Sequence, residues 1–423
     1  MIKLIRSAIG DLRRQPVLGA VSVIGTALAI YLIMMVVMLQ SVKVEPFAPE
    51  SNRDRFLHAT YLSITTPNGM WNACHSYPFV RNYMYPLTTP EAVTAYSINS
   101  TAGPASVPGA GKATSAEIRT TDHNYWKVFD FTFLSGAPYS EADVNAGLPK
   151  AVISESVARR LFGTIDAVGR ELMVNYRSHQ VAGVVADVSP LATKAFAEVW
   201  IPITSIPGWD YNQFTNNLSV TLLAPDPASK EKVRAEFAER MKNIDPDHTV
   251  TLLNRPYDQY TETCEELWAN CEPDVQTARR NELLVYLVLL LVPAINLAEM
   301  TRSRMRRRYS EIGLRRAFGA TRGSIMRTIF AENFIVTLFA GIIGLALAFA
   351  TALIFGANLI ASTDWTGVAP AMTISPAALQ HWSTFGKALL FCFILNLLCS
   401  GLPAWRASRI NIVNAITGQI HKS

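Results

Sequence analysis

The sequence predicts a membrane protein with four transmembrane α-helices and a large α+β extracytoplasmic domain between the first and second helices. Three observations support this fold class. The 423 residues contain four apolar runs that are candidates for transmembrane helices, which need ~20 apolar residues. Arginine-rich segments flank these runs at alternate ends, so that all of the basic segments fall on the predicted cytoplasmic side. Roughly 240 residues of ordinary globular composition separate the first run from the second, which is enough for a domain with its own core.

The first run, Val17–Leu39, carries no charged residue and follows a basic N-terminal segment that contains Lys3, Arg6, Arg13 and Arg14. This arrangement predicts a cytoplasmic N-terminus. The run is longer than the ~7–15 apolar residues of a cleaved signal peptide, and no A-x-A-like cleavage site follows it. We therefore expect an uncleaved span.

The other three runs lie in the C-terminal third, at Leu283–Ala298, Ile329–Ile360 and Ala388–Leu402. The third run contains a series of small residues that suggests close helix contact: Ala340, Gly341, Gly344, Ala346 and Ala348. The basic C-terminal tail is predicted to be cytoplasmic. The expected organisation is therefore an interfacial helix and first span in 1–40, an extracytoplasmic domain in 41–280 and a three-span domain in 281–423.

Charge is distributed unevenly along the chain. Ser41–Asn281 holds 21 basic and 27 acidic residues, whereas the rest of the chain holds 17 basic and 6 acidic residues. Basic segments beside apolar runs indicate cytoplasmic loops next to anionic lipid headgroups. A nucleic-acid-binding protein would carry its cations on a folded basic face, and no such domain is visible in the sequence.

The loop between the second and third runs is the most informative segment. Met300–Arg327 contains nine arginines and one acid, Glu311. Within this loop, Glu311–Ala320 has the pattern of a short amphipathic helix that ends at Gly319. Such a helix could transmit force between the membrane and a soluble partner, and the alternative is a helix that only lies at the membrane interface.

Local signals place several elements of the outer domain. Predicted strands are Ala151–Ser154, Glu171–Val174, His179–Val188, Val199–Ile203 and Thr249–Asn254. Ser154 is a plausible N-cap for a helix that runs through Leu161 and ends at Gly163. A second helix is predicted in Pro227–Asn243, where apolar residues recur at helical spacing. Ser97–Lys112, which is rich in small residues and proline, is predicted to be a flexible loop.

No motif in the chain predicts catalysis or metal binding. Pro108–Thr114 resembles a phosphate-binding loop, but Ser106 replaces the first required glycine and Ala113 replaces the required Ser or Thr. The nucleophile-elbow and H-E-x-x-H motifs are absent from the sequence. We therefore expect that this chain is not an enzyme, that it binds no cofactor or metal, and that any ATP is bound by another chain.

Two further features leave alternatives open. Cys264 and Cys271 are a candidate disulfide, but they can pair only if the chain turns between them, because seven residues of straight helix span ~10 Å. Glu332 stands near the inner end of the third run. It is either an interfacial residue near the arginine cluster or a functional membrane carboxylate.

Several segments together resemble one family. Four segments are similar to FtsX/MacB-type (type VII) ABC transporter permeases. They are the N-terminal Arg6–Ile30, the outer-domain segment Ala151–Val174, Glu311–Thr321 followed by a span with Glu332, and the C-terminal Pro403–Ile416. In Pro403–Ile416, Asn411 stands where the family usually has proline. The order of these segments along one chain is more specific than any one of them.

The resemblance implies a four-span permease subunit with a MacB-like periplasmic domain, both termini in the cytoplasm and a location in the cell inner membrane. It implies a coupling helix near 309–318 that contacts an ATPase. The residues assigned to this coupling role are Glu311, Ile312, Gly313, Leu314, Arg315, Arg316, Ala317, Phe318 and Gly319.

The partners that the resemblance implies are two copies of an ABC ATPase subunit, which would bind ATP and Mg²⁺, and a second permease copy or a paralogue. Membrane lipids and a periplasmic adaptor or envelope protein are further expected partners. The expected function is mechanotransmission, in which ATP hydrolysis moves the periplasmic domain to export or extrude an envelope or periplasmic substrate. The alternative is an FtsX-like, non-transporting regulator of an envelope enzyme.

Overall fold

The computed structural model describes 44–66, 69–109, 113–206, 215–242, 244, 256–264, 273–285, 287–288, 314–315 and 317–361, with parts of 20–35 and the single positions 390 and 394. The described residues form two compact units. One lies within Val42–Ala278, and the other within Met1–Ser41, Arg279–Ala371 and Leu379–Ser423.

The described part of the chain forms fourteen strands, all within the unit Val42–Ala278. They are β1 Phe56–Ala59, β2 Tyr61–Thr66, β3 Gly69–His75, β4 Ala92–Ser97, β5 Thr101–Ser106, β6 Ala113–Thr121, β7 Phe133–Gly136, β8 Lys150–Ser154, β9 Glu171–Val174, β10 Arg177–Val185, β11 Val199–Pro202, β12 Thr215–Asn216, β13 Leu218–Leu223 and β14 Tyr257–Asp258.

The helices with defined bounds are short, except for the last, which has 40 residues. They are α1 Tyr77–Phe79, which continues as a π-turn at Val80–Met84, α2 Tyr125–Val128, α3 Glu141–Asn145, α4 Glu155–Phe162, α5 Lys230–Lys242, α6 Gln259–Cys264 and α7 Arg322–Ala361. Short 3₁₀ turns occupy Ile203–Ser205 and Pro227–Ser229.

Six of the strands form a closed ring in the order β11–β8–β10–β9–β5–β6, and β6 pairs back with β11. The β8–β10 and β6–β11 pairs are parallel, and the other four pairs of the ring are antiparallel. Strand β7 pairs with the C-terminal part of β10, beyond the residues of β10 that pair with β9. Because every strand of the ring has two neighbours, this small barrel has no unpaired edge.

The barrel has an apolar core, and α4 packs against it. Its buried side chains come from all six ring strands and include Ile118, Ile153, Val184 and Ile201. Helix α4 contributes the buried residue Val157. This packing removes the inner face of the ring from water, which is the main favourable contribution to its stability.

The remaining strands form an antiparallel layer that joins the barrel through Tyr96 on β4, opposite Thr121 on β6. From β4 the order continues through β13 and β1 to β14, and the β2–β3 hairpin attaches beside β13. Helix α5 also belongs to this part. Its Glu236 carboxylate accepts hydrogen bonds of 2.7 Å from the backbone N–H groups of Thr88 and Thr89.

The local signals around α4 are confirmed. The Ser154 hydroxyl accepts a hydrogen bond from the Val157 N–H, and Gly163 closes the helix in the left-handed conformation with φ of 74°. Strands β8, β9 and β11 lie where the sequence predicts them, and β10 covers most of the predicted strand His179–Val188. The predicted strand Thr249–Asn254 lies outside the described residues.

The prediction of a flexible loop over Ser97–Lys112 is wrong for its central part, because Thr101–Ser106 forms β5. Small side chains are a structural requirement at this place in the ring. A Cβ atom on Gly103 would lie 2.3 Å from Asn175 Oδ1 and 2.6 Å from Ile118 Cδ1. The composition that suggested a loop therefore reflects close packing between strands.

In the second unit, α7 packs against the helical residues that the structure describes within 20–35. A Cβ atom on Gly344 would lie 2.6 Å from the carbonyl oxygen of Ala27 and 3.1 Å from the backbone nitrogen of Tyr31. Ala340 and Ala348, four residues to either side of Gly344, are fully buried. The expectation of close helix contact through small residues is thus confirmed at Gly344.

Across the described part of the chain, no helix combines the length and the apolar character that a bilayer crossing requires.

Candidate functional site

The described part of the predicted coupling segment is the end of a helix. The Phe318 N–H donates to the Leu314 carbonyl at 3.1 Å, and the Ala320 N–H donates to the Arg315 carbonyl at 3.0 Å. Gly319 has φ of 91°, a left-handed backbone conformation that residues other than glycine rarely adopt. The glycine therefore ends the helix as the sequence predicts, by the ordinary glycine stop.

A second helix starts immediately after this stop. The Thr321 hydroxyl accepts a hydrogen bond from the Ser324 N–H at 3.3 Å, and the Thr321 carbonyl accepts one from the Ile325 N–H at 3.2 Å. Helix α7 begins at Arg322 and runs for 40 residues. The joint between the two helices is thus short, and capping bonds fix both of its sides.

Two apolar side chains stand out from the helix end. Phe318 is 85% exposed and Leu314 is 52% exposed. Residues four apart lie on the same face of a helix, so the two side chains form one apolar surface, which we call the Leu314–Phe318 surface. Full burial of such side chains is worth about 1.5–3 kcal/mol each, which is enough to anchor a partner.

The other predicted site residues are described only in part. Arg315 and Ala317 belong to the same helix end as the Leu314–Phe318 surface. Glu311, Ile312, Gly313 and Arg316 lie outside the described residues. Glu332 is part of α7 and Cys264 ends α6, but their side chains are outside the description, as is all of Cys271.

A buried charged pair in the first unit is a feature that sequence reasoning missed. The Arg53 Nε donates to Glu50 Oε2 at 2.7 Å, and Arg53 Nη2 donates to the carbonyl of Leu191 at 3.0 Å. The second Glu50 oxygen accepts hydrogen bonds from the N–H groups of Lys194 and Ala195 at 2.8 and 2.9 Å. We call this arrangement the Glu50–Arg53 clamp.

The clamp connects the start of the first unit to the segment between β10 and β11. The Arg53 guanidinium also stacks over the Phe47 ring, with its central carbon 4.3 Å from the ring centroid. The only local sequence signal is an acid and a base three residues apart, which is common on protein surfaces. The partners of the clamp lie about 140 residues further along the chain, where spacing rules give no information.

The described residues contain no group of three or more His, Cys, Asp or Glu side chains that is arranged to hold a metal ion. The arrangement that the described residues show is one of packing and surface features. It consists of the closed barrel, the Glu50–Arg53 clamp near the start of the first unit, and the exposed Leu314–Phe318 surface, which is joined to the long helix α7.

Family models cover most of the chain. Residues 20–240 match the MacB-like periplasmic core domain, and residues 283–412 match the FtsX-like permease C-terminal domain. The chain belongs to the FtsX/MacB-type ABC transporter permeases. The resemblance noted from the sequence is thereby confirmed, and so is the α+β character of the MacB-like domain.

Curated relatives agree with this family. The chain is 25% identical over 311 residues to the macrolide export ATP-binding/permease protein MacB 1 of Yersinia pestis bv. Antiqua (strain Antiqua), covering 71% of this chain and 43% of that protein. It is 22% identical over 307 residues to the uncharacterized ABC transporter permease YknZ of Bacillus subtilis (strain 168), covering 72% of this chain and 70% of that one. The chain thus spans less than half the length of the MacB relative.

Among solved structures, the periplasmic region of MacB from Actinobacillus actinomycetemcomitans matches 47% of this chain and 88% of its own. The sequence identity is 14% and the TM-score is 0.34.

Proposed function

We propose that this FtsX/MacB-type permease couples ATP hydrolysis by a separate ATPase subunit to movement of its MacB-like domain, and that this movement exports or extrudes an envelope or periplasmic substrate. Both family matches support the permease role. The observation that carries the coupling step is the Leu314–Phe318 surface, because it is exposed, apolar and joined to α7 by a capped turn.

The membrane arrangement is part of the same proposal. Four spans, a periplasmic MacB-like domain and two cytoplasmic termini in the inner membrane follow from the four apolar runs and their alternating basic flanks. Exposed apolar side chains on α7 also support contact with lipid, among them Phe334, Ile342, Leu347 and Ile354. Such side chains are unfavourable in water but not in a bilayer.

The partner ATPase is proposed on two grounds. The MacB relatives are ATP-binding/permease proteins by name, and YknZ, 70% of which the match covers, is an ABC transporter permease by name. We place ATP and Mg²⁺ in two copies of this partner, beside a second permease copy or a paralogue. Phe318 and Leu314 then fill an apolar groove of the ATPase, while neighbouring arginines contact anionic headgroups or orient the helix.

The test is a pull-down of the tagged chain from native membranes in mild detergent, followed by mass spectrometry and by ATPase activity in vesicles. The variants are Phe318→Asp and Leu314→Asp. The control is Tyr176→Asp, because Tyr176 in the first unit has the same 85% exposure as Phe318. Loss of one apolar anchor of about 1.5–3 kcal/mol lowers ATPase recovery about 10-fold or more.

Equal ATPase recovery with Phe318→Asp and Tyr176→Asp contradicts the coupling role of the Leu314–Phe318 surface. Failure to recover any ABC-type ATPase with the unmodified chain contradicts the larger proposal. Envelope proteins that copurify distinguish an exporter from the FtsX-like regulator, since a regulator retains its envelope enzyme as a stable partner.

A further inference from the structure

A cleft of about 520 Å³ opens in the first unit between the π-turn Val80–Met84 and the C-terminal end of α3. Its lining includes Tyr77, Arg81, Asn82, Asn145, Gly147 and Thr204. Small-molecule and peptide sites commonly measure ~300–1,000 Å³, so the cleft has the size of a ligand site. It lies far in sequence from the coupling segment and plays no part in the argument for coupling.

One wall of the cleft has an unusual backbone. The Tyr85 N–H donates to the Val80 carbonyl at 2.9 Å, which is the i to i+5 bond of a π-helix. π-turns are rare and frequently mark functional sites. This turn carries Arg81 and Asn82 into the lining of the cleft.

The opposite wall is held close by a glycine. Gly147 has φ of 63°, and a Cβ atom there would lie 3.2 Å from the carbonyl oxygen of Thr204. The Thr204 hydroxyl in turn donates to the Val144 carbonyl at the end of α3. These contacts fix the position of Asn145, which lies between Val144 and Gly147 and faces the cleft.

The base of the cleft is a buried polar network. Tyr77 is 5% exposed, and its ring packs edge-on against the Tyr85 ring with 6.3 Å between the centroids. The Tyr85 hydroxyl donates to the buried Asp122 carboxylate, which also accepts the Thr94 hydroxyl at 2.7 Å. Because the Tyr85 hydroxyl and the Asp122 carboxylate already have hydrogen-bond partners, we assign binding to the side chains of the walls.

The charges of the walls select the ligand. Arg81 is exposed and makes no ion pair or side-chain hydrogen bond with any residue that the structure describes. A second cation stands beside it, since Arg240 Nη2 donates to the Asn82 carbonyl at 3.3 Å. Two acids belong to this region: Asp122 is buried and bonded to the Tyr85 hydroxyl, and Glu141 is exposed and lies 3.9 Å from His123 Nε2. An uncommitted guanidinium is best matched by a carboxylate, through paired N–H···O bonds.

We propose that this cleft binds the C-terminal end of a short peptide. The Arg81 guanidinium holds the terminal carboxylate, and the side-chain amides of Asn82 and Asn145 hydrogen-bond the peptide groups that precede it. Carboxylate capture supplies orientation, and paired amides suit a backbone that offers both N–H and C=O groups.

The test uses the full chain in detergent micelles and isothermal titration calorimetry. The probes are a mixed-sequence pool of N-acetyl tripeptides with free C-terminal carboxylates, the same pool with C-terminal amides, and sodium acetate. The variants are Arg81→Met and Asn145→Leu, and the control is Arg159→Met, which removes another exposed arginine of the same unit.

The expected result is saturable binding of the free-acid pool that weakens 10-fold or more with the amide pool and with Arg81→Met. A smaller weakening is expected with Asn145→Leu and none with Arg159→Met. Equal binding of acid and amide pools, wild-type binding by Arg81→Met, or no saturable binding by the free-acid pool overturns the proposal. Acetate that binds as tightly as the tripeptides overturns the assignment to peptides. Because ATPase recovery plays no part in this test, its outcome is separate from that of the coupling experiment.

Discussion

The Arg53 guanidinium and the Glu50 carboxylate form an ion pair that is withdrawn from solvent, with Arg53 Nη2 2.6 Å from Glu50 Oε2 and side chains 1% and 0% exposed. Arg53 Nη2 and the second Glu50 oxygen also bond backbone groups of the segment 191–195, and Arg53 Nη1 donates to the Glu45 carbonyl at 3.1 Å. A buried pair whose other polar atoms are also satisfied is costly to break from one side, because the surviving charge keeps its burial and loses its partner.

Arg53→Met is therefore expected to lower the free energy of unfolding by about 3–5 kcal/mol. The measurement is urea unfolding followed by tryptophan fluorescence. Arg159→Met, which breaks the exposed Arg159–Glu155 pair, is the matched control and should cost no more than about 1 kcal/mol. The double variant Arg53→Met/Glu50→Gln should recover part of the lost free energy of unfolding. Similar losses for Arg53→Met and Arg159→Met would show that the clamp adds little to stability.

Gly344→Ala is expected to weaken the packing of α7 against the helical residues around Ala27. The new methyl group would lie 2.6 Å from the Ala27 carbonyl oxygen, which is backbone and can move only with its helix. Overpacking of this kind typically costs about 1–3 kcal/mol, to be measured as a lower Tm in detergent. Gly323→Ala has no atom within 4 Å of the new Cβ. This control should leave Tm unchanged or raise it, and an equal fall in both would refute a specific role for Gly344.

Acid should destabilise the first unit through His75. Burial lowers the pKa of His75 to about 3, in spite of a backbone contact at Ala59 that raises it. The unfolded chain takes up a proton below its pKa of 6.5, whereas the folded chain does not until about 3. The free energy of unfolding therefore falls as pH drops from 6.5 towards 3, by up to about 1.4 kcal/mol per pH unit.

The variant His75→Phe isolates this contribution, because phenylalanine keeps a ring against Phe79, on which His75 stacks with a centroid distance of 5.5 Å. Between pH 6.5 and 5, wild type should lose up to about 2 kcal/mol more than the variant. Burial also lowers the pKa of His179 and acts in the same direction in both proteins, so it cancels in the comparison. Parallel pH curves for the two proteins would exclude His75 as the titrating group.

Gly103→Val should destabilise the barrel, because two atoms of neighbouring side chains already lie where its Cβ would be. The expected cost is about 1–3 kcal/mol, read from the urea midpoint. Ala102→Val tests whether the strand merely resists β-branched residues. Ala102 is exposed on β5, so this control should be nearly neutral. A neutral result at Gly103 would mean that Asn175 and Ile118 move aside without cost.

The secondary-structure elements that could be predicted from the sequence are those that depend on interactions between residues close together in the chain. Ser154 and Gly163 bracket α4 with a cap at each end, and the strands beside it have apolar runs of their own. Strand β5 could not be predicted, because its pairing comes from β6 and β9 and its own residues are small for reasons of packing. The Leu314–Phe318 surface follows from helical spacing. By contrast, the Glu50–Arg53 clamp and the cleft join residues that are far apart along the chain, and no spacing rule reaches them.

If the Leu314–Phe318 surface binds an ATPase as we propose, the capped turn between Phe318 and α7 would let the long helix act as a lever. A helix of 40 residues is about 60 Å long, so a tilt of about 5° at one end carries the other end through about 5 Å. Because hydrogen bonds hold the chain on both sides of this turn, most of a displacement of Phe318 would be passed on to α7. A displacement smaller than one side chain at the helix end would become, at the far end of α7, a movement as large as a whole helical turn.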